Sequence, residues 1–189
     1  MNNKAVIMGA SAGCLEALSL ILAALPKDYP YPIMVVVHLP SDKDSLMADL
    51  LDQKCDLSVC EVEDKEPLLP GHVYIAPPNY HMLIEREEIV SLSNEDEVLY
   101  SRPSINVSFE SAADIFGARL IGIIMTGANN DGAAGLAAVA AAGGITIVQD
   151  PLEAFAPEMP ESALAACPEA MVMNISNITT YLKGQAGHV

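Results

Sequence analysis

The sequence predicts an α/β fold built on a mostly parallel, doubly wound sheet with helices on both faces. Three observations predict it: short apolar runs rich in Val and Ile, stretches of helical spacing between those runs, and Gly or Pro at joins between them. Continuous apolar runs suit strands buried on both faces, and strands that alternate with helices suit a parallel sheet.

In chain order, Lys4–Met8 reads as a strand ending at Gly9. Leu15–Ala24 has helical spacing (Leu15, Leu18, Ile21, Leu22, Leu25) and stops before Pro26. Ile33–Val37 is a buried strand. Ser41 with Asp44 resembles a cap for a helix over Leu46–Leu51. His72–Ala76 is the next strand, and Met82–Glu85 with Ile89–Ser93 flank Arg86–Glu88 as a hairpin. Pro103 suits the first turn of a helix running towards Ile115. Leu120–Met125 is a strand, and Gly132–Ala142 is an Ala-rich helix closed by Gly143 and Gly144. Ile145–Val148 is a strand, Glu161–Ala166 a short helix, and Ala170–Met173 the last strand. Asn174 or Ser176 caps a final helix to Leu182, and Lys183–Val189 is expected to fray. The acidic stretches Glu61–Glu66 and Glu95–Glu97 read as solvated loops. No linker or repeat divides the chain, so residues 1–189 are expected to form a single domain.

The length of 189 residues supports one substantial core, and 51% hydrophobic residues argue against disorder. No apolar run reaches the roughly 18 residues of a membrane span, and the N-terminus has no signal-peptide pattern, so a cytoplasmic protein without membrane insertion is expected. A formal net charge of −16 repels nucleic-acid phosphates, which excludes a nucleic-acid partner. Cys14, Cys55, Cys60 and Cys167 form no C-x-x-C pair and are expected to be free thiols. Cys55 and Cys60 have no neighbouring His or Cys to complete a zinc site, and no metal is expected.

Ligands of an open parallel sheet bind beyond the carboxyl ends of its strands. The loops there hold Gly9-Ala10-Ser11-Ala12-Gly13 after the first strand, His38 after the second, and Thr126–Gly132 after Leu120–Met125. A hydroxyl, an imidazole and a carboxylate therefore converge on one edge. Gly9–Gly13 fits G-x-S-x-G, a turn that exposes a nucleophilic serine, and its flanking glycines permit a tight turn. Serine needs a base, for which the imidazole of His38 is the candidate, and the base needs an orienting carboxylate, for which Asp131 serves. The backbone N–H of Ala12 would begin an oxyanion hole. Each residue also has a plainer reading: Ser11 as a small turn residue, His38 as a satisfied structural histidine, Asp131 as a helix N-cap. A dinucleotide site is disfavoured, because G-x-G-x-x-G is absent and His38 stands where an acidic ribose ligand is expected. The order Ser, His, Asp also differs from the Ser, Asp, His of α/β-hydrolases.

These residues resemble a known family. Met8-Gly9-Ala10-Ser11-Ala12-Gly13, Val37-His38-Leu39-Pro40, Gly71–Pro77, Arg102-Pro103-Ser104-Ile105-Asn106-Val107, Met125-Thr126-Gly127, Asn130–Gly135, Gln149-Asp150-Pro151 and Met159-Pro160 are similar, in order, to the catalytic domain of CheB, the chemotaxis protein-glutamate methylesterase. The similarity runs from about Lys4 to Leu182. It implies a three-layer α/β/α sandwich with an antiparallel hairpin at Met82–Ser93. It also implies a Ser11–His38–Asp131 triad, and cleavage of glutamyl methyl esters on chemoreceptor helices with release of methanol. Some members deamidate receptor glutamines, and neither reaction takes a cofactor.

The family's second oxyanion donor, the backbone N–H of a Met, aligns with Ala128. Arg102, His81 and Asn130 are the candidate substrate-binding residues, with Arg102 reading equally as a cap on a loop, while His72 is expected to be structural. Ala12 stands where many members have Thr, Cys14 and Asn129 where glycines are usual, and Asn106 where Asp is usual. Pro78 and Tyr80 replace Gly and Arg, and Glu158 replaces the Gly before Met-Pro. These departures surround the expected groove and bear on receptor specificity more than on the chemistry. The receiver domain that usually precedes this one is not in the sequence, so activity is expected to be constitutive, controlled by a partner in trans, or controlled by regions outside this chain. The acidic surface would slow association with acidic receptor helices. Two other readings remain, a serine esterase or amidase with a different substrate and a catalytically silent receptor-binding module.

Overall fold

The structure, a computed structural model, describes residues 4–38 and 46–187. Among the described residues nine strands, β1 (Ala5–Ala10), β2 (Ile33–Val37), β3 (Ser58–Glu61), β4 (His72–Ile75), β5 (His81–Glu85), β6 (Ile89–Ser93), β7 (Leu120–Ile124), β8 (Ile145–Gln149) and β9 (Met171–Met173), are joined by six α-helices. These are α1 (Cys14–Leu22), α2 (Met47–Asp52), α3 (Ile105–Phe116), α4 (Ala133–Ala141), α5 (Glu158–Ala166) and α6 (Ile175–Ala186). Seven strands form one sheet in the order β3-β4-β2-β1-β7-β8-β9, and every pairing in it is parallel. β5 and β6 pair antiparallel as a separate hairpin, which packs on α3.

Burial follows the pleat. In β1, Val6, Met8 and Ala10 join a core with Leu18, Ile21 and Leu22 of α1, Leu51 of α2, and Ile178 and Leu182 of α6. Ala5 and Ile7 face the other way, towards Phe109 of α3, Leu136 and Val139 of α4, Met159 of α5 and Met82 of the hairpin. All six β1 residues are buried, as a central strand covered on both faces requires. The result is a three-layer α/β/α sandwich.

Several elements differ from their sequence-based outlines. β3 lies where the sequence suggested no element, and only its last residue, Glu61, falls in the acidic stretch expected to be loop. It is a four-residue edge strand with only Val59 fully buried, too short for an alternating pattern to stand out. Helix α3 begins at Ile105 with Ser104 as its N-cap, so Pro103 precedes the helix instead of occupying its first turn. Helix α5 starts at Glu158, three residues before the predicted start. Asn174 caps α6 by accepting the Asn177 N–H at 2.8 Å, but the helix runs to Ala186, past the expected end at Leu182. Gln185 holds that last turn: its side chain accepts from Lys4 Nζ at 2.8 Å and its carbonyl accepts from Tyr31 Oη at 3.3 Å. The Ser41/Asp44 helix start lies outside the described residues. All four cysteines are free thiols.

The two glycines of the G-x-S-x-G turn serve different purposes. Gly13 has φ +81° at the N-cap of α1, the left-handed conformation that favours glycine. Gly9 has ordinary strand geometry, and space is what fixes it. A Cβ there would stand 2.5 Å from Ile105 Cγ2 and 3.0 Å from Ile124 Cδ1. A β-branched neighbour at the first position of α3 has little freedom to move. Gly9→Ala is therefore expected to destabilise the fold by about 1–3 kcal/mol, read as a lowered urea midpoint, because the start of α3 must shift.

Candidate active site

The sheet reverses its winding between β1 and β7, and the loops at that switch point carry the candidate chemistry. Ala10 of β1 pairs with Val37 of β2, so Ser11 and His38 are each the next residue on neighbouring strands, which run about 4.8 Å apart. On the other side Gly9 pairs with Ile124 of β7, and the Ser11 N–H donates to the Thr126 carbonyl at 2.9 Å. Thr126 fastens the turn further. Its hydroxyl donates to the Ala12 carbonyl at 2.8 Å and accepts from the Ala156 N–H at 2.9 Å, while its own N–H donates to buried Gln149 Oε1 at 2.8 Å.

His38 and Asp131, 93 residues apart in sequence, meet with His38 Nε2 2.8 Å from Asp131 Oδ2. The His38 side chain is 14% exposed and that of Asp131 1%. The carboxylate also accepts from Ser104 Oγ at 3.0 Å, from the Ile105 N–H at 2.7 Å and from the Asn106 N–H at 2.9 Å. Burial pushes the Asp131 pKa up, but the bonds from His38 and from the Asn106 and Ile105 amides outweigh it and hold the carboxyl below its usual range. An ionised carboxylate only accepts, so the proton between the pair sits on His38 Nε2. The other ring nitrogen, Nδ1, then presents a lone pair, the form a general base takes.

Asp131 also has a structural role. It occupies the N-terminus of α3, where two free amides and the positive end of the helix dipole favour a carboxylate. The exchange is reciprocal. Asn106 Oδ1, from α3, accepts the Gly132 N–H at 2.9 Å and the Gly135 N–H at 2.8 Å at the start of α4. The sequence-based N-cap reading of Asp131 is corrected accordingly: it caps a neighbouring helix while that helix caps its own.

The other predicted residues fall in different places. Ala12 and Ala128 lie on the loops beside Ser11, and among the described residues their backbone N–H groups make no hydrogen bond. His81 is 2% exposed, with Nδ1 accepting the Ser104 N–H at 3.1 Å and Nε2 bonded to the Asp96 carbonyl at 3.0 Å. With both nitrogens occupied beneath the surface it positions Ser104, and the groove-lining role expected for it is corrected. Arg102, with Asn79, Tyr100 and His38, lines a small cavity of about 160 Å³. Its guanidinium donates to the Asn94 and Glu95 carbonyls at 3.1 and 3.0 Å, while its buried Nε has no hydrogen-bond partner among the described residues. Asn130 is exposed. The Nδ1 ring nitrogen of His72 bonds the Pro70 carbonyl at 2.9 Å, the structural role expected of it. Ser104 and Thr126 build the site without having been singled out, and Asn106 was noted only as standing where Asp is usual, although all three lie in the quoted motifs.

A family model described as CheB methylesterase matches residues 6–182. The chain belongs to the CheB methylesterase family. The crystal structure of the Thermotoga maritima CheB methylesterase catalytic domain superposes with a TM-score of 0.92 at 32% identity, covering 97% of this chain and 98% of that one. A protein-glutamate methylesterase/protein-glutamine glutaminase of Geobacter metallireducens is 41% identical over 165 residues, 86% of this chain and 45% of its own. One from Chromohalobacter salexigens is 37% identical over 188 residues, 98% of this chain and 53% of its own. The chain thus spans about half the length of these two CheB relatives. A Leptospira interrogans relative, 42% identical over 178 residues, is of similar size: the match covers 94% of this chain and 92% of its own, and it carries the same name in provisional form.

Proposed function

We propose that this chain is a serine hydrolase that demethylates glutamyl methyl esters of chemoreceptors. The observation that carries the proposal is the His38–Asp131 pair, held at 2.8 Å on the strand register of Ser11. In this reading Ser11 is the nucleophile, His38 the general base and Asp131 the group that fixes the base's tautomer.

Ser11 Oγ gives its proton to His38 Nδ1 and bonds to the ester carbonyl carbon. The carbonyl oxygen takes the electron pair and is held by the Ala12 and Ala128 N–H groups. As the intermediate collapses, the bond to methoxide breaks and Nδ1 returns the proton to it, releasing methanol and leaving an acyl-Ser11 ester. Water then attacks, losing a proton to Nδ1. Collapse of this second intermediate returns that proton to Ser11 Oγ and frees the glutamate. A receptor glutamine follows the same path with ammonia leaving, in keeping with the glutaminase half of the relatives' names. No step takes a cofactor.

The partner is the cytoplasmic part of a methylated chemoreceptor, which implies a cytoplasmic address. No helix among the described residues is long and apolar enough to cross a membrane. Arg102 and Asn130 are the proposed substrate contacts, Arg102 towards acidic neighbours of the target residue. A regulatory partner in trans would act on the same face.

The test is methanol release from a methylated receptor cytoplasmic fragment by the wild type, Ser11→Ala and His38→Ala. Release that collapses in both variants supports the triad and the substrate class together. Release that survives Ser11→Ala would overturn the mechanism. A folded wild type that releases nothing would favour a different ester or a silent receptor-binding module.

A further inference from the structure

The lone pair that must take the proton of Ser11 is already occupied. Asn129 Nδ2 lies 3.0 Å from His38 Nδ1. The orientation of the amide follows from its other end: Asn129 Oδ1 accepts the Asp131 N–H at 3.0 Å, a local turn bond that leaves the NH₂ group facing the imidazole. With Nε2 committed to Asp131, Nδ1 is the only ring nitrogen free to act as base, and it accepts from an amide. Among the described residues Ser11 Oγ makes no hydrogen bond. A proton placed on Nδ1 would also face the Asn129 N–H donor head-on, so proton transfer and the Asn129 contact exclude each other.

We infer that Asn129 is a positioning residue that latches the base: it holds His38 in the resting enzyme and must release Nδ1 before Ser11 can be deprotonated. The inference rests on the proposed roles of Ser11 and His38, and it makes basal turnover a property of residue 129. The half-buried Asn129 side chain sits beside exposed Ala128 and Asn130, so it has room to swing outwards and an entering substrate can compete for its amide.

Asn129→Ser separates the latch from the turn. A serine hydroxyl at this position still accepts the Asp131 N–H but is too short to reach His38. Two readouts are taken on the full chain: the rate of labelling by a small fluorophosphonate, and the ¹⁵N resonance of His38 Nδ1. Asn129→Ser is expected to label about 3- to 10-fold faster, the worth of one ordinary hydrogen bond. The Nδ1 resonance is expected to move to that of a ring nitrogen with a free lone pair. Asn129→Ala should accelerate labelling too unless loss of the turn bond unfolds the loop, which Asn129→Ser controls for. Slower labelling would mean that Asn129 helps the base, and an unchanged rate with an unmoved resonance would mean that the contact is idle; either overturns the latch. Ser11→Ala separates the two readings. If it labels as fast as the wild type, the serine mechanism fails, and the resonance alone decides on Asn129.

Discussion

Asp131→Ala is expected to lower the unfolding free energy by about 3–5 kcal/mol, measured by urea denaturation, as well as to remove most of the turnover. The side chain is 1% exposed and accepts from four donors: His38 Nε2, Ser104 Oγ and the Ile105 and Asn106 amides. Truncation leaves those donors facing a cavity, and two of them are the first N–H groups of α3, which have no partner of their own. Damage should spread to α4, because Asn106 caps that helix from the same turn. Asp131→Asn keeps the volume but has one acceptor oxygen for these donors and can present an NH₂ group to His38. It should retain part of the stability yet lose about 10⁴-fold in kcat, the order expected when an orienting carboxylate no longer fixes the base's tautomer. An Asp131→Ala variant with a wild-type urea midpoint would contradict the capping role.

The same carboxylate sets an acid limit. Its folded pKa lies below the unfolded value of about 3.9. A depressed aspartate contributes stability that is fully present above the unfolded value and is lost as pH falls through the folded one. Wild-type stability should decline below about pH 4, and Asp131→Asn, with no group to protonate, should show a flatter acid limb in urea titrations repeated across pH.

Much of this was legible in the sequence because buried parallel strands leave a dense signal. Ile33–Val37 and Leu120–Ile124 are uninterrupted apolar runs, and the rule that ligands bind beyond strand ends pointed from them to His38 and Asp131. The edge strand β3 and the outer turn of α6 were not legible. An edge strand of four residues carries almost no pattern, and the ending of α6 depends on contacts from Lys4 and Tyr31 that local sequence does not encode. His81 was misplaced for the opposite reason. A histidine in a hairpin reads as surface, whereas its partners Ser104 and Asp96 are 23 and 15 residues away and bury it. The exchanged caps were half visible: Asp131 was recognisable as a cap, but the helix it serves begins 26 residues earlier, and only the tertiary fold brings them together. Asn129 was noticed as a substitution for glycine, and its contact with His38 required coordinates.

Ser11→Ala should have the opposite profile to Asp131→Ala. Turnover is expected to fall about 10³- to 10⁶-fold, while the unfolding free energy from urea denaturation stays within about 0.5 kcal/mol of the wild type. The structural duties of residue 11 belong to its backbone, through the N–H on Thr126 and the carbonyl that accepts from Cys14, and alanine keeps both. Among the described residues its hydroxyl makes no hydrogen bond. His38→Ala falls between the two: the same loss of turnover, with a modest loss of stability as Asp131 gives up one of its four donors. The double variant discriminates most sharply. If Ser11 and His38 act as one unit, removing either disables the same step, so Ser11→Ala/His38→Ala should be no slower than either single variant. Losses that multiplied would place the two side chains in separate steps and break the triad assignment, even with each single variant inactive.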